Sequence, residues 1–125
     1  MRALLDTSVL IGAEAPGDLE GAISAASLAE LHFGVLVAQD ELERGRRAQR
    51  LGVVEATFDP LPIDAPVARE WGRLAAAIVE RGGRPRRPAM DLAIAATANV
   101  AGVPLLTQYV GDFKLIDDLV EVVGP

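Results

Sequence analysis

The chain has 125 residues, half of them hydrophobic, with no cysteine, a single histidine (His32) and a formal net charge of -6. That length accommodates one domain with a genuine core and not two, and the composition excludes a disulfide scaffold, thiolate metal sites and a histidine-rich zinc site. With a pI near 4.7 the chain attracts nucleic acid poorly in bulk, so any grip on phosphates needs a local cluster of arginines, and any metal must be a hard ion bound through oxygen.

Ala3, Leu4 and Leu5 make an apolar run of strand length that ends in Asp6, Thr7 and Ser8 before Val9, Leu10 and Ile11 resume an apolar pattern. This reads as a buried strand that delivers Asp6 to its carboxyl end, where ligands sit in open α/β sheets. The plain alternative is that Asp6, Thr7 or Ser8 merely caps the helix that follows. Asp6 also interrupts the apolar N-terminus before a signal-peptide core can form, which points to a cytoplasmic protein. Gly12 to Gly21 is a short connection, Ala22 to Ala26 a second strand, and Ser27 the start of a helix with Leu28, Leu31, Val35 and Leu36 on its apolar positions. Ser27 to Glu30 has the form of a capping box, in which the glutamate bonds back to the cap. His32 lies roughly 200° round the helix from Glu30, so it is read as structural.

Asp40 to Thr57 is a helix carrying Arg44, Arg46, Arg47 and Arg50, weakened by Gly45 and Gly52. Leu61-Pro62-Ile63 is an edge-strand candidate, because proline is confined to edges and strand ends. Asp64 caps a long helix to about Arg81, with Pro66 in its first turn and Val67, Trp71, Leu74 and Ile78 buried. Gly82 to Pro88 is a basic, glycine- and proline-rich loop read as mobile, and Arg81, Arg84, Arg86 and Arg87 form the second arginine cluster. Both clusters read as solvated surface or as a basic patch beside an acidic pocket.

Pro88 to Ala101 is a small-residue helix with Asp91 in its first turn, where the helix dipole favours an acid whatever its role. The run from Leu92 to Gly111 holds no charge, but Asn99, Gly102, Pro104 and Gln108 divide it into a helix and a strand, Val103 to Thr107, so it is not a membrane span. Tyr109 to Phe113 is a turn and helix start, and Leu119 to Val123 a last edge strand. Alternating strands and helices imply a mainly parallel sheet covered on both faces, a three-layer α/β fold. Asp6, Glu30, Asp91 and Asp112 each fall just after a strand or in the first turns of a helix on the sheet, and so at one edge of the fold. Four converging carboxylates need a cation, and an oxygen-only set suits Mg2+ or Mn2+ and phosphoryl-transfer chemistry.

The segments LLDTSVLI, SLAELHFG, MDLAIAATA and PLLTQYVGDF, in that order and spacing, resemble the successive signatures of the PIN-domain family, and of its VapC-type toxin ribonucleases in particular. The resemblance implies a PIN-like parallel-sheet fold, Mg2+- or Mn2+-dependent hydrolysis of RNA, a partner antitoxin and a toxin homodimer. It implies metal-site roles for Asp6, Glu30, Asp91 and Asp112, with Thr7, Ser8 and Thr107 as nearby hydroxyls. Asp6 and Asp91 are the direct ligands in this reading, Glu30 a ligand or a base that orients water, and Asp112 a more distant or second-metal ligand. Arg84, Arg86 and Arg87 are RNA contacts, with Tyr109 as a stacking surface. The chain departs from the pattern at Tyr109, where the family usually has Asn, and at Gln108, often Arg, and the stretch between the first two motifs is short enough to lack a helix.

Two other readings compete. A phospho-aspartyl hydrolase with Asp6 as nucleophile wants a second acid where Ser8 stands and a catalytic lysine, of which Lys114 is the only one. A PIN-like module without catalysis would act by binding a partner. Trp71, Phe33, Val35 and Leu36 are the surface expected to take a second chain.

Overall fold

The computed structural model describes residues 1–12, 17–84 and 89–125. Four short strands, β1 (Arg2–Leu5), β2 (Glu20–Ala22), β3 (Leu105–Leu106) and β4 (Val122–Val123), pair in parallel in the order β2-β1-β3-β4. The helices are α1 (Thr7–Gly12), α2 (Ala25–Leu36), α3 (Glu41–Thr57), α4 (Ala65–Glu80) and α5 (Ala89–Ala101), and a 3-10 segment, Val110–Ile116, joins β3 to β4. The expected three-layer α/β arrangement is present.

Alternation along the strands divides the core between the two faces of the sheet. Leu4 and Leu105 point into a cluster with Val67 and Leu74 of α4, Leu92 and Ile94 of α5, and Phe113 and Ile116 of the 3-10 segment. Ala3, Leu5 and Leu106 point the other way, onto Val9, Leu31, Leu51 and Val54 from α1, α2 and α3. Every residue of α5 from Leu92 to Ala98 is buried. Its alanines allow α4 to lie close along it. Gly102, at a φ of 71° that other residues rarely adopt, turns the chain out of α5 toward β3. Among the described residues no helix is long and apolar enough to cross a membrane.

The structure moves several boundaries. The second strand is Glu20–Ala22, not Ala22 to Ala26, and the N-cap of α2 is Ser24, whose Oγ accepts the Ala26 N–H at 3.0 Å. Ser24 is held extended by a parallel bridge to Leu61, whose carbonyl accepts the Ala25 N–H at 2.8 Å. That pairing fixes where the helix begins, and it leaves Ser27 inside α2, so Ser27 to Glu30 is not a capping box. Leu61-Pro62-Ile63 makes this single bridge and no strand. β3 covers only Leu105–Leu106, and Leu119 and Val120 bond back to the Ile116 carbonyl instead of extending β4. Asp40 caps α3 and Asp64 caps α4, through Glu43 N–H (2.8 Å) and Val67 N–H (3.2 Å). His32 is exposed and bonds Glu55 at 2.8 Å, tying α2 to α3 away from the acids, in keeping with a structural role.

Candidate active site

β1 has β2 on one side and β3 on the other, so the winding of the chain reverses there. At such a switch point the crossovers leave in opposite directions, and a crevice opens beyond the strand ends. Asp6 follows β1 and Thr107 follows β3, one on each lip of that crevice.

Asp6 is buried, 5% exposed, and its N–H donates to the Leu106 carbonyl at 2.9 Å. Its Oδ2 accepts two hydroxyl protons, from Ser8 at 2.7 Å and Thr107 at 2.8 Å. Those hydroxyls are held in turn by the chain after β3. Gln108 N–H donates to Ser8 Oγ and Tyr109 N–H to Thr107 Oγ1, each at 3.1 Å, and the Gln108 side-chain amide reaches the Ser8 carbonyl at 3.1 Å. Both bonds to Oδ2 are charge-assisted and fix the carboxylate's orientation. Among the described residues Asp6 Oδ1 accepts no hydrogen bond, which leaves it open to a ligand.

Glu30 is set from α1. Thr7 Oγ1 lies 2.6 Å from Glu30 Oε1 and 3.0 Å from Ser27 Oγ. A hydroxyl has one proton, and the short bond to a carboxylate is the stronger, so Thr7 donates to Glu30 and Ser27 is left as a neighbouring polar contact. Asp91 is half-buried in the first turn of α5, and Asp112 is exposed in the first turn of the 3-10 segment. The Asp91 carboxyl is pushed up to about 7, first by burial and then by the charges of Asp6, Glu30 and Asp112. The charges of Asp6, Glu30 and Asp112 thus all act on Asp91. Among the described residues no three acidic or histidine side chains stand together at the spacing of one ion's ligand set. The donor set fits a hard dication, because it is all oxygen, carries excess negative charge and holds Asp6 with one oxygen open.

The remaining expected residues are less concentrated. Tyr109 is 58% exposed, an aromatic face open to solvent. Arg84 is exposed beyond α4, while Arg86 and Arg87, like the rest of the loop from Pro85 to Pro88, lie outside the described residues. Arg81 is committed elsewhere, to Asp118 at 2.6 Å and the Leu115 carbonyl at 2.7 Å. Ser8 bonded to Asp6 and an exposed Lys114 give a phospho-aspartyl mechanism neither its second acid nor a placed lysine. The parts of Ser27 and Gln108 had no local signal, since Ser27 meets a residue 20 positions away and Gln108 one 100 positions away.

The family model for the PIN domain matches residues 3–118. The chain belongs to the PIN domain family. This PIN domain is 38% identical over 128 residues to Ribonuclease VapC5 of Mycobacterium tuberculosis, covering 95% of this chain and 90% of that one. It is 37% identical over 129 residues to Ribonuclease VapC4 of the same organism, covering 98% and 95%. Its fold superposes on the crystal structure of VapBC-5 from Mycobacterium tuberculosis, a member of the VapBC family of toxin-antitoxin systems, with a TM-score of 0.82 at 38% identity, covering 98% and 96% of the two chains. The three-layer PIN fold and the likeness to VapC-type ribonucleases expected from the sequence are thus both found.

Proposed function

We propose that this PIN domain is a Mg2+- or Mn2+-dependent endoribonuclease of the cytoplasm, the toxin of a toxin-antitoxin pair, and that residues 1–125 form one domain. The observation that carries the reading is Asp6, delivered by β1 with its Oδ2 held by Ser8 and Thr107 and its Oδ1 open, beside an Asp91 carboxyl raised to about 7, first by burial and then by the charges of Asp6, Glu30 and Asp112. The similarity to proteins named ribonucleases, and to a toxin-antitoxin complex, supports RNA as substrate and an antitoxin as partner.

Asp6 and Asp91 are the residues that would hold the ion, Asp6 through its open Oδ1 and Asp91 after loss of its proton. When bound, the ion supplies Lewis acidity, lowering the pKa of water and offsetting charge on the phosphate. Ser8 and Thr107 keep Asp6 from turning away from the crevice, and Gln108 locks Ser8. Glu30, fixed through one oxygen by Thr7, keeps the other to ligate or to orient the water that attacks phosphorus in line. Asp112, the most exposed of the four, would serve as an outer ligand or as a ligand to a second ion. Arg84, Arg86 and Arg87 lead directly into α5 and Asp91, and we assign them contacts to substrate phosphates.

A partner-binding module without catalysis is the second reading, favoured by Tyr109 in place of the family's usual Asn and by the open spacing of the acids. Cleavage of single-stranded RNA with Mg2+ or Mn2+ separates the two. Cleavage should be lost in chelator and fall at least about a hundredfold in Asp91→Asn. Cleavage indifferent to both, or none from the wild type with either ion, overturns the nuclease reading.

A further inference from the structure

We propose that the cavity between α1, α2 and α3 is a nucleotide subsite beside the cleavage site, in which Arg50 holds the phosphate of an RNA residue flanking the cut bond. The proposal rests on the ribonuclease reading for its substrate. The cavity measures about 410 Å³, within the range of small-ligand sites. Thr7, the residue that fixes Glu30, and Arg50 both line it, so the cavity adjoins that acid and holds a guanidinium.

The arginines of α3 are not equivalent. Arg44 is bound to Glu41 at 2.9 Å, Arg46 pairs with Glu43 at 3.4 Å, and Arg47 bonds Glu43 at 2.9 Å and the Gly34 carbonyl at 2.7 Å. Arg50 is partly buried and lines the cavity, and among the described residues it makes no hydrogen bond or ion pair. Glu43, the cavity's one acid among its described lining, is already matched by Arg46 and Arg47. The cavity therefore presents an uncommitted planar cation suited to a phosphate. Ile11, half exposed, and Leu31 supply apolar wall for the face of a base. An acidic peptide could also meet Arg50. RNA is favoured because Thr7, which sets Glu30, is part of the cavity's lining, so the cavity adjoins the acid site where a substrate phosphate would lie. A chain of net charge -6 with four acids at the cut site also needs a separate anchor for the flanking phosphate.

The test is binding and cleavage of one short single-stranded RNA by wild type, Arg50→Ala and Arg50→Lys, with Arg46→Ala as a charge-matched control on the same helix. Arg50→Ala should raise both Kd and KM about tenfold, leave kcat within about twofold, and reduce the slope of log affinity against log salt by about 0.7. Arg50→Lys should retain most of the binding, and Arg46→Ala should change it far less. Ile11→Glu, at a half-exposed wall position that spares the core, should weaken binding as Arg50→Ala does, so the subsite stays testable if Arg50→Ala folds poorly. Unchanged RNA affinity in Arg50→Ala or in Ile11→Glu, or an equal loss in Arg46→Ala, overturns the proposal. Loss of antitoxin affinity without loss of RNA affinity also overturns it and assigns the cavity to a protein. A wild type that binds RNA through Arg50 but cuts none sinks the nuclease reading and leaves the subsite standing, whereas one that neither binds nor cuts sinks both.

Discussion

Asp91 has a folded-state carboxyl raised to about 7 from an ordinary 3.8, so between those values the native chain holds its proton more tightly than the unfolded chain does. Its contribution to stability is therefore fully present at low pH and is lost as the pH rises through 7. In chelator, Asp91→Asn should melt above wild type at about pH 8, and the gap should narrow as the pH falls below 7 and close only near the unfolded carboxyl's 3.8. A variant that melts lower than wild type at the higher pH would show that Asp91 is not crowded by the other acids. Thr107 faces a different test, because it is fully buried and its hydroxyl both donates to Asp6 and accepts from Tyr109 N–H. Thr107→Val keeps the shape and removes both bonds, an expected loss of about 1–3 kcal/mol by urea unfolding. An unchanged midpoint would mean that the hydroxyl network does not bear on the fold.

The start of α2 puts two serines in competition at the level of the element. Ser24 caps the helix and also lies 3.0 Å from the Thr97 hydroxyl, whose shorter bond goes to the Ala93 carbonyl at 2.7 Å, whereas Ser27 is an interior residue beside a Thr7 that keeps its bond to Glu30. Ser24→Ala leaves the Ala26 N–H without its partner in a fully buried setting and should cost about 1–2 kcal/mol, a melting shift on the order of 3–6 °C. Ser27→Ala should cost less. Equal shifts in thermal melts of the two would return the cap to Ser27.

Two expectations concern the whole molecule. Because Mg2+ or Mn2+ would bind the folded chain and not the unfolded one, stability should rise by about 1.4 kcal/mol at ten times the ion's Kd, a melting shift of about 4 °C for a domain of this size. The shift should shrink as the pH falls below 7 and Asp91 keeps its proton, and a wild type indifferent to millimolar amounts of either ion would mean that the acids do not form one site. Of the apolar residues expected to take a second chain, Phe33 and Leu36 are 65% and 76% exposed on α2, while Val35 and Trp71 are partly packed into the two cores. We expect a homodimer that uses the first two, and light scattering that gives only monomer at micromolar concentration would refute it.

The sequence by itself determined whatever depends on neighbours along the chain. Asp40 and Asp64 cap α3 and α4 because a short carboxylate reaches an N–H three residues on, and the buried helix from Leu92 and the apolar run before Asp6 follow from composition alone. The ordered motifs likewise identified the family and nominated the four acids. Tertiary structure decided what depends on pairing between distant segments. The bridge from Leu61 to Ser24 set the start of α2, and the parallel pairing of β1 with β3 brought Thr107 and Gln108 onto Asp6 and Ser8. It also sorted the arginines: local pattern places four on α3, but only the packing of α3 on α2 ties Arg47 to the Gly34 carbonyl and leaves Arg50 lining a cavity shared with Thr7.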